Sequence, residues 1–70
     1  MNERELFQLT GHLNPATFPE LYFYYDSQPR QRIKKMVSAM ESKNYIVFTC
    51  YEKAGFYVTP VGLKWYQSNA

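Results

Sequence analysis

Residues 27–44, SQPRQRIKKMVSAMESKN, decide how the rest of the chain is read. Ile33, Met36, Val37 and Met40 follow the i, i+3, i+4, i+7 spacing of a single apolar stripe, which predicts an amphipathic helix over residues 27–43. On such a helix Gln28, Gln31, Lys35, Ser38 and Ser42 fall opposite the stripe, and Arg32 and Lys34 lie on its flanks. Five of the eight Lys and Arg of the chain sit between Arg30 and Lys43, against one carboxylate, Glu41. Cations and amides displayed on the outer face of a core helix suit insertion into a DNA groove. Ammonium and guanidinium groups meet phosphates there, while Gln and Arg read base edges. A merely solvated helix face has the same composition, so the remaining sequence has to decide.

Seventy residues make a single domain, 1–70, near the lower size at which one core holds without staples. A hydrophobic share of 46%, with 19% aromatic, is enough for a folded core and excludes a disordered chain. The net charge of +2 permits an acidic partner without requiring one, so the distribution of charge carries the information. Cys50 is the only cysteine, which rules out an internal disulfide, and its apolar run predicts a buried structural thiol. The opening MNERELF lacks the pattern of a secretory signal, and no run reaches membrane-spanning length; a cytoplasmic protein without a membrane partner is expected.

Before the central helix, Asn2 and Glu5 form a capping-box pair that opens a first helix, with Leu6, Phe7 and Leu9 on its apolar side and Gly11 as its stop. Residues 11–16 then read as a loop, with Pro15 forbidding helix continuation. Thr17-Phe18-Pro19-Glu20 is a second capping box, and Phe18, Leu21, Tyr22 and Tyr25 share one stripe of a short helix, leaving Phe23 and Tyr24 pointing elsewhere. Asp26-Ser27 is a tight turn, with Ser27 or Asp26 capping the long helix and Pro29 in its first turn. Asn44 suits the left-handed exit from that helix. Tyr45–Tyr51 is β-branched and aromatic and reads as a strand. Glu52–Gly55 supplies a turn with glycine at positive φ, and Phe56–Thr59 pairs back as a hairpin. Thr59-Pro60 opens a last helix through Gln67. In that helix Val61 and Trp65 share one side while Leu63 and Tyr66 lie roughly opposite. One side is therefore left over, either for a homodimer contact through Leu63, Trp65 and Tyr66 or for packing between the first helix and the hairpin.

The fold class read from this order is α+β. Glu20-Leu21, then Ile33, Met36 and Met40-Glu41-Ser42-Lys43-Asn44-Tyr45-Ile46, and finally Phe56-Tyr57-Val58-Thr59-Pro60-Val61-Gly62 resemble the winged helix-turn-helix domains of small bacterial and phage transcriptional regulators. The resemblance covers nearly the whole chain through loose patterns. It implies a three-helix core with a helix-turn-helix, a two-stranded hairpin wing and a short C-terminal helix. It further implies sequence-specific binding of double-stranded DNA, with helix 27–43 in the major groove and the 52–55 tip near the backbone. Gln28, Gln31, Arg32 and Lys35 would then read bases, in the N-terminal half where recognition helices meet them. Arg30, Lys34, Ser38, Lys53 and Tyr24 would contact phosphates. The wing departs from the pattern, since its tip carries only Lys53 beside Glu52.

An alternative is a protein-interaction module on the same fold, of the kind a phage-type inhibitor or adaptor uses, favoured by the mild charge and by Phe23, Tyr24, Tyr57 and Trp65 as candidate exposed aromatics. No enzyme, cofactor or metal site is expected. His12 has no ligand-spaced companions, and Gly11, Gly55 and Gly62 are too far apart for a phosphate loop. The carboxylates never fall into a catalytic pattern with His, Ser or Cys.

Overall fold

The computed structural model describes residues 2–68 and has the order α1 (Glu3–Leu13), α2 (Phe18–Tyr24), α3 (Arg30–Ser42), β1 (Ile46–Thr49), β2 (Gly55–Val58) and α4 (Pro60–Ser68). The architecture is α+β, with four helices and a two-stranded antiparallel hairpin. One core joins them. Leu6 and Phe7 of α1, Leu21 of α2, Ile33, Val37 and Met40 of α3, Ile46 of β1 and Phe56 of β2 are all buried together with Ala16. Thr10 is the one buried polar residue among those described, and its hydroxyl donates to the Leu6 carbonyl at 2.7 Å.

Asn2 caps α1 as its sequence predicts, its Oδ1 accepting from the Glu5 amide at 2.9 Å. Gly11 does not stop the helix. α1 continues to Leu13, and Asn14 takes the left-handed turn-off at φ 34°, donating its N–H to the Thr10 carbonyl. Asparagine tolerates that conformation, so no glycine is needed. His12 consequently rides exposed on the last turn of α1 rather than in a loop.

Where the sequence predicts only a loop, Ala16 forms a two-way bridge with Phe56. Its N–H donates to the Phe56 carbonyl at 3.0 Å, and the Phe56 N–H donates back at 2.7 Å. At the start of α2 the expected capping box is only half made: the Thr17 hydroxyl donates to Glu20 Oε1 at 2.9 Å and makes no cap to the backbone.

α3 begins at Arg30, later than the predicted Ser27 start, with Pro29 as an uncapped N-cap residue at φ −60°, ψ 139°. The cause is steric. A residue preceding proline is pushed out of the helical region, so Gln28 belongs to the turn, its N–H bonded to the Tyr25 carbonyl at 2.9 Å. At the other end Asn44 adopts φ 64°, as expected of it.

β1 is shorter than predicted and β2 starts and ends one residue earlier; they pair Ile46 with Val58, Val47 with Tyr57, Phe48 with Phe56 and Thr49 with Gly55. Gly55 is therefore a strand residue, and it has no positive φ. Its missing side chain serves a close approach instead, since a Cβ there would lie 2.5 Å from Pro15 Cβ and 2.9 Å from the Ala16 carbonyl oxygen. Cys50 falls beyond the end of β1 and is exposed, which overturns the expectation of a buried thiol.

Thr59 joins hairpin to α4. Its Oγ1 accepts from the Gly62 amide at 2.9 Å, as an N-cap should, and donates to the Tyr45 carbonyl. Trp65 stacks on Tyr45 with centroids 4.5 Å apart, and Tyr66 stacks on Phe7 at 5.2 Å. Both rings expected at a dimer face are thus engaged within the chain, leaving Leu63 and Val61 exposed. α4 sits against α1 because Gly62 lets it: a Cβ at Gly62 would meet the Tyr45 carbonyl oxygen at 2.2 Å and Phe7 Cε2 at 2.6 Å.

Gly62→Ala is expected to lower unfolding free energy by about 1–3 kcal/mol, the usual cost of overpacking. Gly11→Ala has only an ordinary 3.5 Å contact to accommodate and sits inside a helix, so it is expected to raise stability by about 0.5–1 kcal/mol. Urea denaturation of the two variants beside the parent measures both, and a stable Gly62→Ala refutes the close approach of α4.

Candidate functional site

α3 has a single apolar stripe, and Ile33, Val37 and Met40 bury it. The helix must then turn its remaining residues outward. Gln31, Arg32, Lys34, Lys35, Ser38 and Ser42 are all exposed, and Met36 is half-buried on the edge of the stripe. Gln31, Arg32 and Lys35 also line one open groove of about 510 Å³ along the flank of α3, shared with Pro29, Met36, Ala39 and Glu3 of α1. Three of the four expected base-reading residues are therefore brought together. Gln28 is not among them, because Pro29 holds it in the preceding turn, half-buried.

The basic residues around this face divide into two groups. Arg30 lays its guanidinium 4.9 Å from the centre of the Tyr22 ring, and Lys43 pairs with Glu3 at 3.1 Å. Arg4, remote in sequence, donates to the Tyr66 carbonyl and covers the same ring at 4.1 Å, so it braces α1 against α4. Arg32, Lys34 and Lys35 have no carboxylate partner among the described residues. These three form the free positive charge of the face.

The other expected phosphate contacts are scattered. Ser38 lies on the exposed face of α3, while Tyr24 is 53% exposed at the end of α2, its ring edge-on to Phe23. Lys53 is exposed at the hairpin tip, where its carbonyl accepts from the Tyr57 hydroxyl at 3.0 Å. Of the aromatics expected at the surface, Phe23 and Tyr24 are exposed, whereas Tyr57 and Trp65 are half-buried. Sequence reading missed Val47, Phe48 and Tyr51, all strongly exposed around the hairpin. Strand alternation was a usable signal for Val47, since it falls opposite in phase to buried Ile46.

A second groove, about 410 Å³, lies between α1 and the turn after α2, with Glu5, Gln8, Leu9, His12 and Tyr25 around it. Burial, and after it the Glu5 carboxylate, holds the Tyr25 phenol above its ordinary ionisation range. Among the described residues no group of three His, Cys, Asp or Glu side chains is arranged to hold a metal ion. No described helix is long and apolar enough to cross a membrane. No family model, curated protein or solved structure matches the chain.

The raised Tyr25 value has a consequence for alkaline stability. The protonated phenol is favoured in the folded state, so its contribution is complete below the ordinary tyrosine range and is lost as pH climbs through the raised value. Denaturant titrations on either side of pH 10 are expected to show a smaller alkaline loss in Tyr25→Phe than in the parent. Equal losses refute the assignment.

Proposed function

We propose that this chain is a winged-helix domain that binds double-stranded DNA, as a small transcriptional regulator, with α3 entering the major groove. The observation that carries this reading is the outer face of α3: Gln31, Arg32, Lys34 and Lys35 stand exposed on the element whose opposite face forms the core. Such a helix fixes the backbone positions of its cations and amides, so only their side-chain rotamers are left to order on binding. α2 precedes it through a short turn, and the β1–β2 hairpin follows it, in the order that a helix-turn-helix with a wing requires.

Within this reading Gln31, Arg32 and Lys35 read base edges from the first half of α3. Lys34 and Arg30 take phosphates on the neighbouring flank, Arg30 with its guanidinium already held over Tyr22. Ser38, Tyr24 and Lys53 are supplementary backbone contacts. Lys43 is spoken for by Glu3 and adds little. The hairpin tip carries one cation beside Glu52, so the helix supplies most of the affinity.

A second reading is favoured by the exposed rings. Phe23 is 77% and Tyr51 84% exposed, and aromatic side chains are what protein interfaces are built around. A protein-interaction module on the same fold would use these rings and leave α3 solvated.

Fluorescence anisotropy with duplex pools across a range of salt distinguishes the two. DNA binding driven by α3 is expected to lose log K against log salt with a slope of about −0.9 per phosphate contacted. Lys34→Ala is expected to weaken binding to every duplex and flatten that slope by about one contact, whereas Gln31→Ala or Lys35→Ala shifts the preferred sequence by about 1–3 kcal/mol per lost base contact. Unchanged binding in all three variants rules out this face, and no binding at low salt rules out the DNA reading.

A further inference from the structure

Beside the stripe that it buries, α3 carries a second row of residues. Pro29, Arg32, Met36, Ala39 and Lys43 recur at alternating spacings of three and four, the pattern of a seam along which one helix receives another. None of them is fully buried; the core is met by Ile33, Val37 and Met40 instead. At its C-terminal end the seam has a partner inside the chain, since Glu3 of α1 pairs with Lys43 at 3.1 Å. From Pro29 to Ala39 it lines the open groove of about 510 Å³, where Glu3 is the one lining residue from another helix. At 1.5 Å of rise per residue, that stretch of α3 offers a trough about 15 Å long.

The trough has an apolar floor and a cationic rim. Pro29 and Ala39 are exposed and Met36 is half-buried, so an apolar row lies open to solvent. Arg32 and Lys35 stand along it with no carboxylate partner among the described residues. The one cation of the seam that is paired, Lys43, is paired by a carboxylate on a neighbouring helix.

We infer that this trough receives an acidic amphipathic helix of another protein. Its apolar face lies on Pro29, Met36 and Ala39, and its flanking carboxylates reach Arg32 and Lys35, as Glu3 already reaches Lys43. A second copy of the chain does not supply this helix. α2 and α3 carry one carboxylate each, Glu20 and Glu41, α4 carries none, and in α1 Glu3 is already engaged with Lys43. A duplex supplies the negative charge but no continuous apolar row to lay along the floor. The inference does not rest on the DNA reading. Where both hold, Arg32 and Lys35 serve both ligands, and the acidic helix and DNA exclude one another.

NMR titration of the full 70-residue chain with a synthetic peptide tests it. The probe is a capped, stapled helix of about four turns, with leucine on one face and glutamate on the flanks. One control peptide has glutamine for every glutamate and another has serine for every leucine. The Met36 and Ala39 methyl signals are expected to shift with the probe while those of Val47 do not, and both controls bind at least about tenfold more weakly. Ala39→Glu sets a carboxylate against the probe and four residues from Lys35, at little cost to the helix, and is expected to weaken the probe by about tenfold. Lys34→Ala lies outside the trough and leaves the probe's affinity unchanged, although the DNA reading has it weaken every duplex. Loss of duplex binding alone therefore counts against that reading and not against this one. A probe that leaves Met36 and Ala39 unmoved overturns the inference, and so does a serine control that binds as well as the probe, because the floor then has no part. Equal probe affinity in Ala39→Glu overturns it too; should that variant fail to fold, the shift map of the unaltered chain decides alone.

Discussion

Burial of one narrow stripe on α3 is the constraint from which the other features follow. Ile33, Val37 and Met40 are the only strongly apolar residues of that helix that reach the interior, and they meet Leu6, Leu21, Ile46 and Phe56 from four other segments. Each fully buried aliphatic side chain is worth about 1.5–3 kcal/mol relative to exposure. No competing orientation of α3 offers a comparable gain, because every other face would bury Lys, Arg or Gln at the cost of desolvating them. The outward display of Gln31, Arg32, Lys34 and Lys35 is thus a consequence of packing. Their chemistry is available to a ligand because the core has no use for it.

Two close approaches hold the remaining elements to one another. Gly55 brings β2 against Pro15 and Ala16, and Gly62 brings α4 against Tyr45 and Phe7. A small domain has little interior to spare, and contacts this short let rings do much of the packing. Phe7 touches both Trp65 and Tyr66, while Phe56 meets Phe18 and Phe48 edge-on. The aromatic richness of the chain is spent mainly inside and at this boundary. Phe23, Tyr24, Phe48 and Tyr51 are the surplus, and they cluster at the end of α2 and around the hairpin.

Electrostatics divides the surface in a way that total charge conceals. Lys43 is neutralised by Glu3, and Arg4 and Arg30 lie over tyrosine rings. Exposed pairs of this sort contribute about 0–1 kcal/mol to stability. Their larger effect is to fix which cations remain without a carboxylate. A net charge of +2 is modest, yet Arg32, Lys34 and Lys35 lie within a single turn of one helix and concentrate the field there.

Helix periodicity, capping chemistry and residue stereochemistry determined by themselves that α3 forms and where it ends, which of its residues face inward, that Asn44 leaves it in a left-handed conformation, and that Thr59-Pro60 opens α4. These are local properties, set by spacing within one turn or by one residue's own φ. Interactions between distant segments were decided only by the tertiary structure: the bridge of Ala16 to Phe56, the pairing of Glu3 with Lys43, the choice of Trp65 and Tyr66 as the packed residues of α4, and the exposure of Cys50. No periodicity encodes them, because each depends on how near two separately formed elements come once the core closes. For the candidate site the same division holds. The basic face was legible from residues 30–43, whereas the loss of Gln28 from it depended on a turn that the folded chain alone supplies.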